Sequence, residues 1–201
     1  MRVLIIFGLI ASLSSCVSIT DINYSSEKIE NAWLLDYQRT EEAYRIRALD
    51  VNPDIAYQHT IKALNTIGLV VTKEDHAAGE VWAKGIAPSP LTNKEWEKIV
   101  VKENPRVKSL SNGILYLDKD PSDYTITVLV TLRRLKSSTL VILDYQLSSP
   151  KYEAYGIRLP KIAPPEAVLI GSLKFWDVLE QRLSQIDAPK PRLAKQHELG
   201  I

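Results

Sequence analysis

The sequence predicts an α+β fold: one antiparallel sheet with helices packed on one of its faces. A capped helix after Asn52 is followed by two short strands joined through a tight turn, and such turns join antiparallel strands. Residues 124–135 and 138–147 alternate most regularly, which indicates a second strand pair. An apolar helix stripe after Pro165 provides cover for one sheet face. The predicted element order is β-α-β-β-(insert)-β-β-α.

The chain begins with a short apolar run, Val3 to Leu13, which follows Arg2 and precedes several small residues. A membrane-crossing helix needs about 20 apolar residues, so this run is too short for a permanent span. A cation, a short apolar run and small residues together form the layout of a secretory signal peptide. The alternative is a buried first helix of the domain, but no helix cap precedes the run. We therefore expect residues 1–15 to be a signal peptide.

Cys16, the only cysteine in the chain, follows Leu13-Ser14-Ser15. This tetrapeptide resembles the lipobox of bacterial lipoproteins, in which an apolar residue and two small residues precede a cysteine. The resemblance implies that the thiol of Cys16 receives a diacylglycerol, that signal peptidase II cleaves before Cys16, and that the new amine is acylated. Several acyl chains hold a protein stably on a membrane. Because Val17 and not an aspartate follows, the resemblance implies an anchor on the periplasmic face of the outer membrane.

The segment after the anchor is polar and rich in Ser, Thr and Asn, so we expect residues 16–30 to form a lipidated tether. A single domain is expected over residues 31–187, with a brief helix near Trp33. A flexible tail is expected over residues 188–201, where two prolines stand and no periodicity is present. Alternation over residues 44–49 predicts a first strand.

The second helix has the clearest signals. Asn52 is a favoured N-cap, Pro53 suits the first helical position, and Gly68 stands where a left-handed stop belongs. An apolar face recurs between them at spacings of four, three and three residues. Two strands follow, over residues 69–75 and 79–87, joined through residues 76–79.

The second of these strands suggests a binding surface. Its small side chains share one face, whereas Trp82, Lys84 and Ile86 share the other. Since a helix packs closely over small side chains, we expect Trp82 and Ile86 to point away from the helices. An aromatic side chain on an open sheet face can anchor a partner. The alternative is that Trp82 lies in a second core, under a helix at 92–104 or the loop at 150–164.

The remaining elements follow from local signals. Thr92 and Glu95 have the spacing of a capping box, and the helix that they begin is expected to end before Pro105. After the strand pair, residues 148–164 are irregular. The stripe expected on the final helix consists of Leu169, Leu173, Trp176, Leu179, Leu183 and Ile186.

The element order resembles the repeated modules of the BamC family of accessory lipoproteins, which belong to the machinery that assembles outer-membrane β-barrels. The similarity covers residues 44–186 with a large insert. It includes the spacing A-L-x-x-x-G-L and then G-x-x-x-A within residues 52–85. A shared fold does not by itself carry a shared function.

Charge and motifs limit the function. The chain has a formal net charge of +1 and no run of five or six like charges, which argues against a nucleic-acid partner. We find no nucleophile motif and no phosphate-binding loop, and we expect no cofactor. His59 is expected on the exposed side of its helix. His76, with Asp75 and Glu80, reads either as a metal cluster or, as we expect, a solvated turn.

These observations favour a non-catalytic lipoprotein that binds a protein or another envelope component. Two alternatives stay open. The domain could carry a small apolar ligand or lipid between its sheet and its last helix. It could also be a glycan-acting envelope enzyme without a linear motif.

Overall fold

A computed structural model describes residues 17–136 and 138–187. The expected signal peptide, Cys16 and the expected tail at 188–201 lie outside the described residues. The elements in chain order are α1 (Ile19–Tyr44), β1 (Ile46–Leu49), α2 (Pro53–Thr66), β2 (Val70–Asp75), β3 (Glu80–Ile86), α3 (Asn93–Leu110), β4 (Thr125–Arg134), β5 (Thr139–Ser148), α4 (Pro150–Glu153) and α5 (Pro165–Asp187).

The five strands form one antiparallel sheet in the order β1-β5-β4-β3-β2. β4 and β5 pair over their full lengths, from Thr125 opposite Ser148 to Arg134 opposite Thr139. β3 pairs with β4, β2 is one edge strand, and the short β1 is the other. The predicted α+β fold class and the predicted order of strands and helices are confirmed.

Helices α2 and α5 cover one face of the sheet. The main core lies between them and the inward residues of β3, β4 and β5, where alternate side chains are almost completely buried. Its largest members include Leu64, Leu143, Phe175, Trp176 and Leu179. Burial of a side chain of this size contributes roughly 1.5–3 kcal/mol, so this layer supplies most of the driving force for folding.

Helix α2 begins and ends as predicted. The side chain of Asn52 accepts a hydrogen bond from the backbone N–H of Asp54, and Pro53 occupies the first turn. Gly68 has a φ of +86°, the left-handed conformation that a glycine adopts without strain. The helix therefore has the length that its cap and its glycine predict.

The tether expected over residues 16–30 is wrong from Ile19 onward, because α1 begins there. Ser18 and Asp21 form a reciprocal cap in which each side chain accepts a hydrogen bond from the other's backbone N–H. Further along the helix, Ile29 and Trp33 are only 1% exposed. The domain boundary expected at residue 31 therefore lies inside a helix, and the packed fold includes at least the residues from Ile19.

Helix α1 is held against α3 by a small separate core of Ile29, Trp33 and Val107. The indole N–H of Trp33 donates to the buried carboxylate of Glu103 at 3.3 Å. Arg106 forms an ion pair with Asp36 and donates to the carbonyl of Ala32 at 3.1 Å. These contacts explain why a segment of polar composition is helical here.

The prediction that the third helix ends before Pro105 is also wrong, since α3 continues to Leu110. The capping box of Thr92 and Glu95 is present as predicted. Proline removes the hydrogen bond to the carbonyl four residues earlier, which here belongs to the exposed Val101 and can be solvated. Val107 docks against α1 on the other side of the proline and keeps the second half helical.

The stripe predicted on the last helix is correct only in part. Trp176, Leu179 and Leu183 are buried, but Leu173 is 43% exposed. The face that packs in the first half of α5 instead includes Ala167, Val168 and the small residues beside them. Close packing of α5 on the sheet requires these small side chains.

Candidate binding face of the sheet

Strand β3 separates two kinds of side chain. Val81 and Ala83 point to the core and are fully buried, as predicted for the small residues. At Gly85 an added Cβ would lie 2.7 Å from the side chain of Leu69, so a larger residue there would require Leu69 to move. Trp82 is half-buried and Ile86 is 67% exposed, in agreement with positions on the opposite face.

Trp82 has neighbours on both sides across the sheet. It lies opposite Lys73 of β2 and Leu129 of β4, and Leu129 lies opposite Asp144 of β5. These residues form one row of outward side chains. Adjacent rows contain further apolar and threonine side chains, which are Ile46, Val70, Ile86, Thr125, Thr127, Thr131, Leu140 and Ile142. We call this surface the open face.

No helix among the described residues packs on the open face. The contacts that α2 makes with the sheet lie on the opposite face, as do those of α5. The alternative position for Trp82, in a second core, is not observed. That second core lies between α3 and α5 and consists of Leu91, Trp96, Ile99, Val100 and Ala167. Trp82 therefore contacts other residues of the open face instead.

Polar groups fix the position of the indole. Its N–H donates to the carboxylate of Glu80 at 3.4 Å, and the ammonium of Lys73 lies 5.8 Å from the ring centroid. At the other side of the face, Arg45 forms an ion pair with Asp144. Lys84 and Arg133 also occupy exposed outward positions on this face, and the apolar surface of Trp82 stays available for contact.

The edge strand β2 is poorly suited to pairing with another strand. Its register with β3 shifts between Val71 and Lys73, which is a β-bulge. The hydroxyl of Thr72, at the bulge, donates to the carbonyl of Trp82 at 3.3 Å. Bulges and exposed charges protect edge strands from further pairing. At this edge of the sheet, recognition through side chains of the open face is therefore better supported than addition of a strand.

The cavity between the sheet and α5 is small. It has a volume of about 30 Å³ and is lined by apolar residues that include Trp96, Ile126 and Val168. A cavity of this size accommodates about one water molecule. A groove of about 400 Å³ lies elsewhere, beside residues 148–161, and is open to solvent.

The predicted turn residues are not brought together as metal ligands. The carboxylate of Asp75 accepts the backbone N–H of Ala78 at 2.9 Å, while Glu80 accepts from Trp82. His76 instead lies 3.4 Å from the carboxylate of Asp54. Within residues 17–136 and 138–187, no group of three side chains is arranged to hold a metal ion.

The position of His59 corrects the sequence interpretation. The side chain is half-buried rather than fully exposed. Desolvation lowers the pKa of His59, and the cations of Lys62 and Arg182 lower it further. His197 lies outside the described residues.

No protein-family model matches the sequence, and no curated protein is significantly similar to it. The described part of the chain also contains no helix both long and apolar enough to cross a bilayer. The function is therefore inferred from the geometry of the open face and from the segment that precedes the domain.

Sequence reasoning identified Trp82 and Ile86 but missed the apolar residues of β4 and β5 that surround them. Leu129 and Ile142 occupy outward positions of strands whose inward positions are also apolar. The available signal was this continuous apolar character, since a strand with one solvated face alternates more strictly.

Proposed function

We propose that this protein is a non-catalytic lipoprotein, anchored to the periplasmic face of the outer membrane, that binds a protein or envelope component through its open face. The observation that carries the proposal is the half-buried Trp82 on a sheet face that no described helix covers. An antiparallel sheet with one face in water usually has polar side chains there. Here leucine, isoleucine and tryptophan occupy outward positions.

The composition of the open face suits recognition by another macromolecule. Aromatic residues, with apolar neighbours that exclude water around them, dominate the binding energy of many protein interfaces. Trp82 supplies the aromatic group and Leu129 lies directly opposite it. The threonine hydroxyls of β4 add hydrogen-bonding capacity next to these two side chains.

The anchor is supported by the first sixteen residues of the sequence. A signal-like segment ends in the lipobox-like tetrapeptide before Cys16. Acyl chains at this cysteine would concentrate the domain at a membrane surface, where a moderate affinity for a membrane-associated partner is sufficient.

The alternative of a carrier for an apolar ligand has less support. Such a ligand would lie between the sheet and α5, where the cavity measures about 30 Å³. Pockets for small molecules typically measure about 300–1,000 Å³. The domain would have to open substantially before it could hold a lipid.

The anchor is tested by the mass of the mature protein. We expect the wild-type amino terminus to be Cys16 with its diacylglycerol and its amide-linked acyl chain. In Cys16→Ser both modifications are lost and the signal peptide is retained. If the amino-terminal fragments of the two proteins had equal masses, the anchor would be contradicted.

The binding face is tested by recovery of partners after crosslinking of intact envelopes. We expect Trp82→Ala to lose a partner that the wild-type protein recovers reproducibly. Val101→Ala is the matched control, because Val101 is also exposed but lies on α3. Recovery of the same partner by Trp82→Ala, or absence of any reproducible partner of the wild-type protein, would overturn the proposed role of this face.

A further inference from the structure

The helix α1 begins almost immediately after the proposed lipid anchor. Ser18 caps the helix, so Val17 alone separates Cys16 from the cap. Consecutive Cα atoms are 3.8 Å apart, and the Cα atom of Cys16 therefore lies within about 11 Å of that of Ile19. An acyl chain at Cys16 would bring the start of α1 to the membrane surface.

The start of α1 is also fixed to the rest of the fold. The side chain of Asn23 donates to the carbonyl of Gly156 at 3.3 Å and accepts the backbone N–H of Arg158 at 2.7 Å. Two turns further along, Glu30 accepts the backbone N–H of Lys161 at 3.4 Å. The segment after α4 therefore lies beside the first turns of α1, and both would reach the membrane together.

Large apolar and aromatic side chains are exposed at this end of the molecule. The exposed fractions are 49% for Val17, 50% for Ile19, 60% for Tyr24 and 70% for Tyr155. The ammonium of Lys28 lies 4.4 Å from the centroid of the Tyr24 ring. Tyrosine is enriched where proteins meet the headgroups of a bilayer, and lysine extends its charge into the water beside them.

We propose that Val17, Ile19, Tyr24 and Tyr155 form a membrane-contact patch that rests in the headgroup region of a phospholipid bilayer. This inference rests on the proposed acylation of Cys16. The patch adds buried apolar surface to that of the acyl chains. Because it is a second contact with the bilayer, it fixes the orientation of the domain, which the anchor at Cys16 alone would not do. The anchored domain then stands on the bilayer with one defined end.

The orientation follows from the sheet. Asp123, at the start of β4, accepts from Ser149 at the end of β5, next to α4 and the patch. The opposite end of β4 contacts the β2–β3 turn, where the backbone N–H of Leu132 donates to Gly79. β4 contains ten residues and rises about 3.3 Å per residue, so that turn lies about 30 Å from the patch end. The open face extends along this direction, away from the bilayer.

The test compares two positions at opposite ends of the strands. Ala154→Cys, beside the patch, and Ala77→Cys, in the β2–β3 turn, replace exposed alanines. Each full-length lipoprotein is labelled at the new thiol with a fluorophore, since acylated Cys16 cannot react. It is then reconstituted in phosphatidylethanolamine–phosphatidylglycerol vesicles that contain nitroxide-labelled lipids. We expect strong quenching of the fluorophore at residue 154 and little or no quenching of the fluorophore at residue 77.

Two further measurements separate the patch from the anchor. Tyr24→Ser should reduce quenching at residue 154, whereas Leu35→Ser, at an exposed position further along α1, should not. The mass of the amino terminus is determined on the same samples. Acylated Cys16 with equal quenching at residues 154 and 77, or with quenching at residue 154 that Tyr24→Ser leaves unchanged, would overturn the patch but not the anchor. Unmodified Cys16 would overturn both.

Discussion

At the scale of single residues, Trp82 and Trp176 occupy contrasting environments within one small fold. The side chain of Trp176 is 1% exposed, and its indole N–H donates to the carbonyl of Tyr44. Its ring meets that of Phe175 edge-on, with 5.1 Å between the ring centroids. Trp82 lies half-buried on the open face and contacts charged side chains. Only the second arrangement leaves an aromatic surface free for another molecule.

The difference predicts two distinct effects on stability. Trp176→Ala should lower the free energy of unfolding by about 3–5 kcal/mol, because it leaves a cavity in the main core. Trp82→Ala should lower it by about 1 kcal/mol or less, as for other surface positions. Urea denaturation of both variants measures the two values. A similar large loss in both would mean that Trp82 is structural, and the binding proposal would fail.

Glu95 joins the start of α3 to α5. Its carboxylate accepts the backbone N–H of Thr92 at 2.7 Å and lies 2.6 Å from the ammonium of Lys174. Desolvation raises the pKa of Glu95, but the hydrogen bonds from Lys174 and Thr92 outweigh it and lower the pKa to about 2. The charged carboxylate is therefore the form that the fold stabilises.

This pKa predicts a dependence of stability on pH. Since the folded-state pKa lies below the ordinary value of 4.5, the contribution is complete above pH 4.5 and is lost as the pH falls toward 2. Glu95→Gln should reduce the free energy of unfolding by about 1 kcal/mol at pH 7 and by less at pH 3. Denaturation at both pH values measures the difference. A difference that does not change with pH would contradict the assigned role.

At the scale of secondary-structure elements, α1 shows how far composition can mislead. Its buried side includes Ser25 and Ser26 before the apolar residues begin, so the helical period is invisible in that part of the sequence. The Ser18–Asp21 spacing was the one local signal of a helix start. The rest depends on contacts with α3, which are distant in sequence and carry no local signature.

The packing of α1 predicts a strong and specific effect. Trp33→Ala should lower the free energy of unfolding by about 3–5 kcal/mol, because it removes the centre of the contact between α1 and α3. Leu35→Ala, at an exposed position of the same helix, should change it by about 0.5 kcal/mol or less. Thermal or urea denaturation compares the two. Equal small effects would restore the interpretation of this segment as a tether.

Replacement of the interior proline of α3 is expected to stabilise the fold. Pro105→Ala restores a backbone N–H that can donate to the carbonyl of Val101, and alanine is favoured over proline by about 3 kcal/mol inside a helix. The unfolded chain also gains entropy, which offsets up to about 1 kcal/mol. We therefore expect a net stabilisation of about 1–2 kcal/mol in urea denaturation. A destabilised variant would show that the fold requires the proline.

The elements that were predicted correctly have their determinants close together in the sequence. The cap at Asn52, the stop at Gly68 and the capping box at Thr92 are each fixed by residues a few positions apart. The elements that were missed depend on partners far along the chain. The second half of α3, for example, depends on the contact of Val107 with α1. For the same reason the outward position of Trp82 was predictable from its strand, whereas its apolar neighbours on β4 and β5 were not.

At the scale of the whole molecule, the fold separates two surfaces. The helices cover one side of the sheet, and the described residues leave the other side open. The Ser149–Asp123 contact, next to α4, lies at one end of β4, and the β2–β3 turn lies at the other end, about 30 Å away. In the proposed orientation the open face extends from the membrane surface into the envelope, where a partner can reach it.

Site-specific photo-crosslinking in living cells tests the central claim most directly. A photoreactive amino acid is placed at Lys84, on the open face beside Trp82, and in a separate variant at the exposed Gln58 of α2 on the other side of the sheet. We predict a discrete crosslinked product at residue 84 and none at residue 58. A product at residue 58 alone, the same product at both positions, or none at residue 84 would contradict the assignment of the open face as the binding surface.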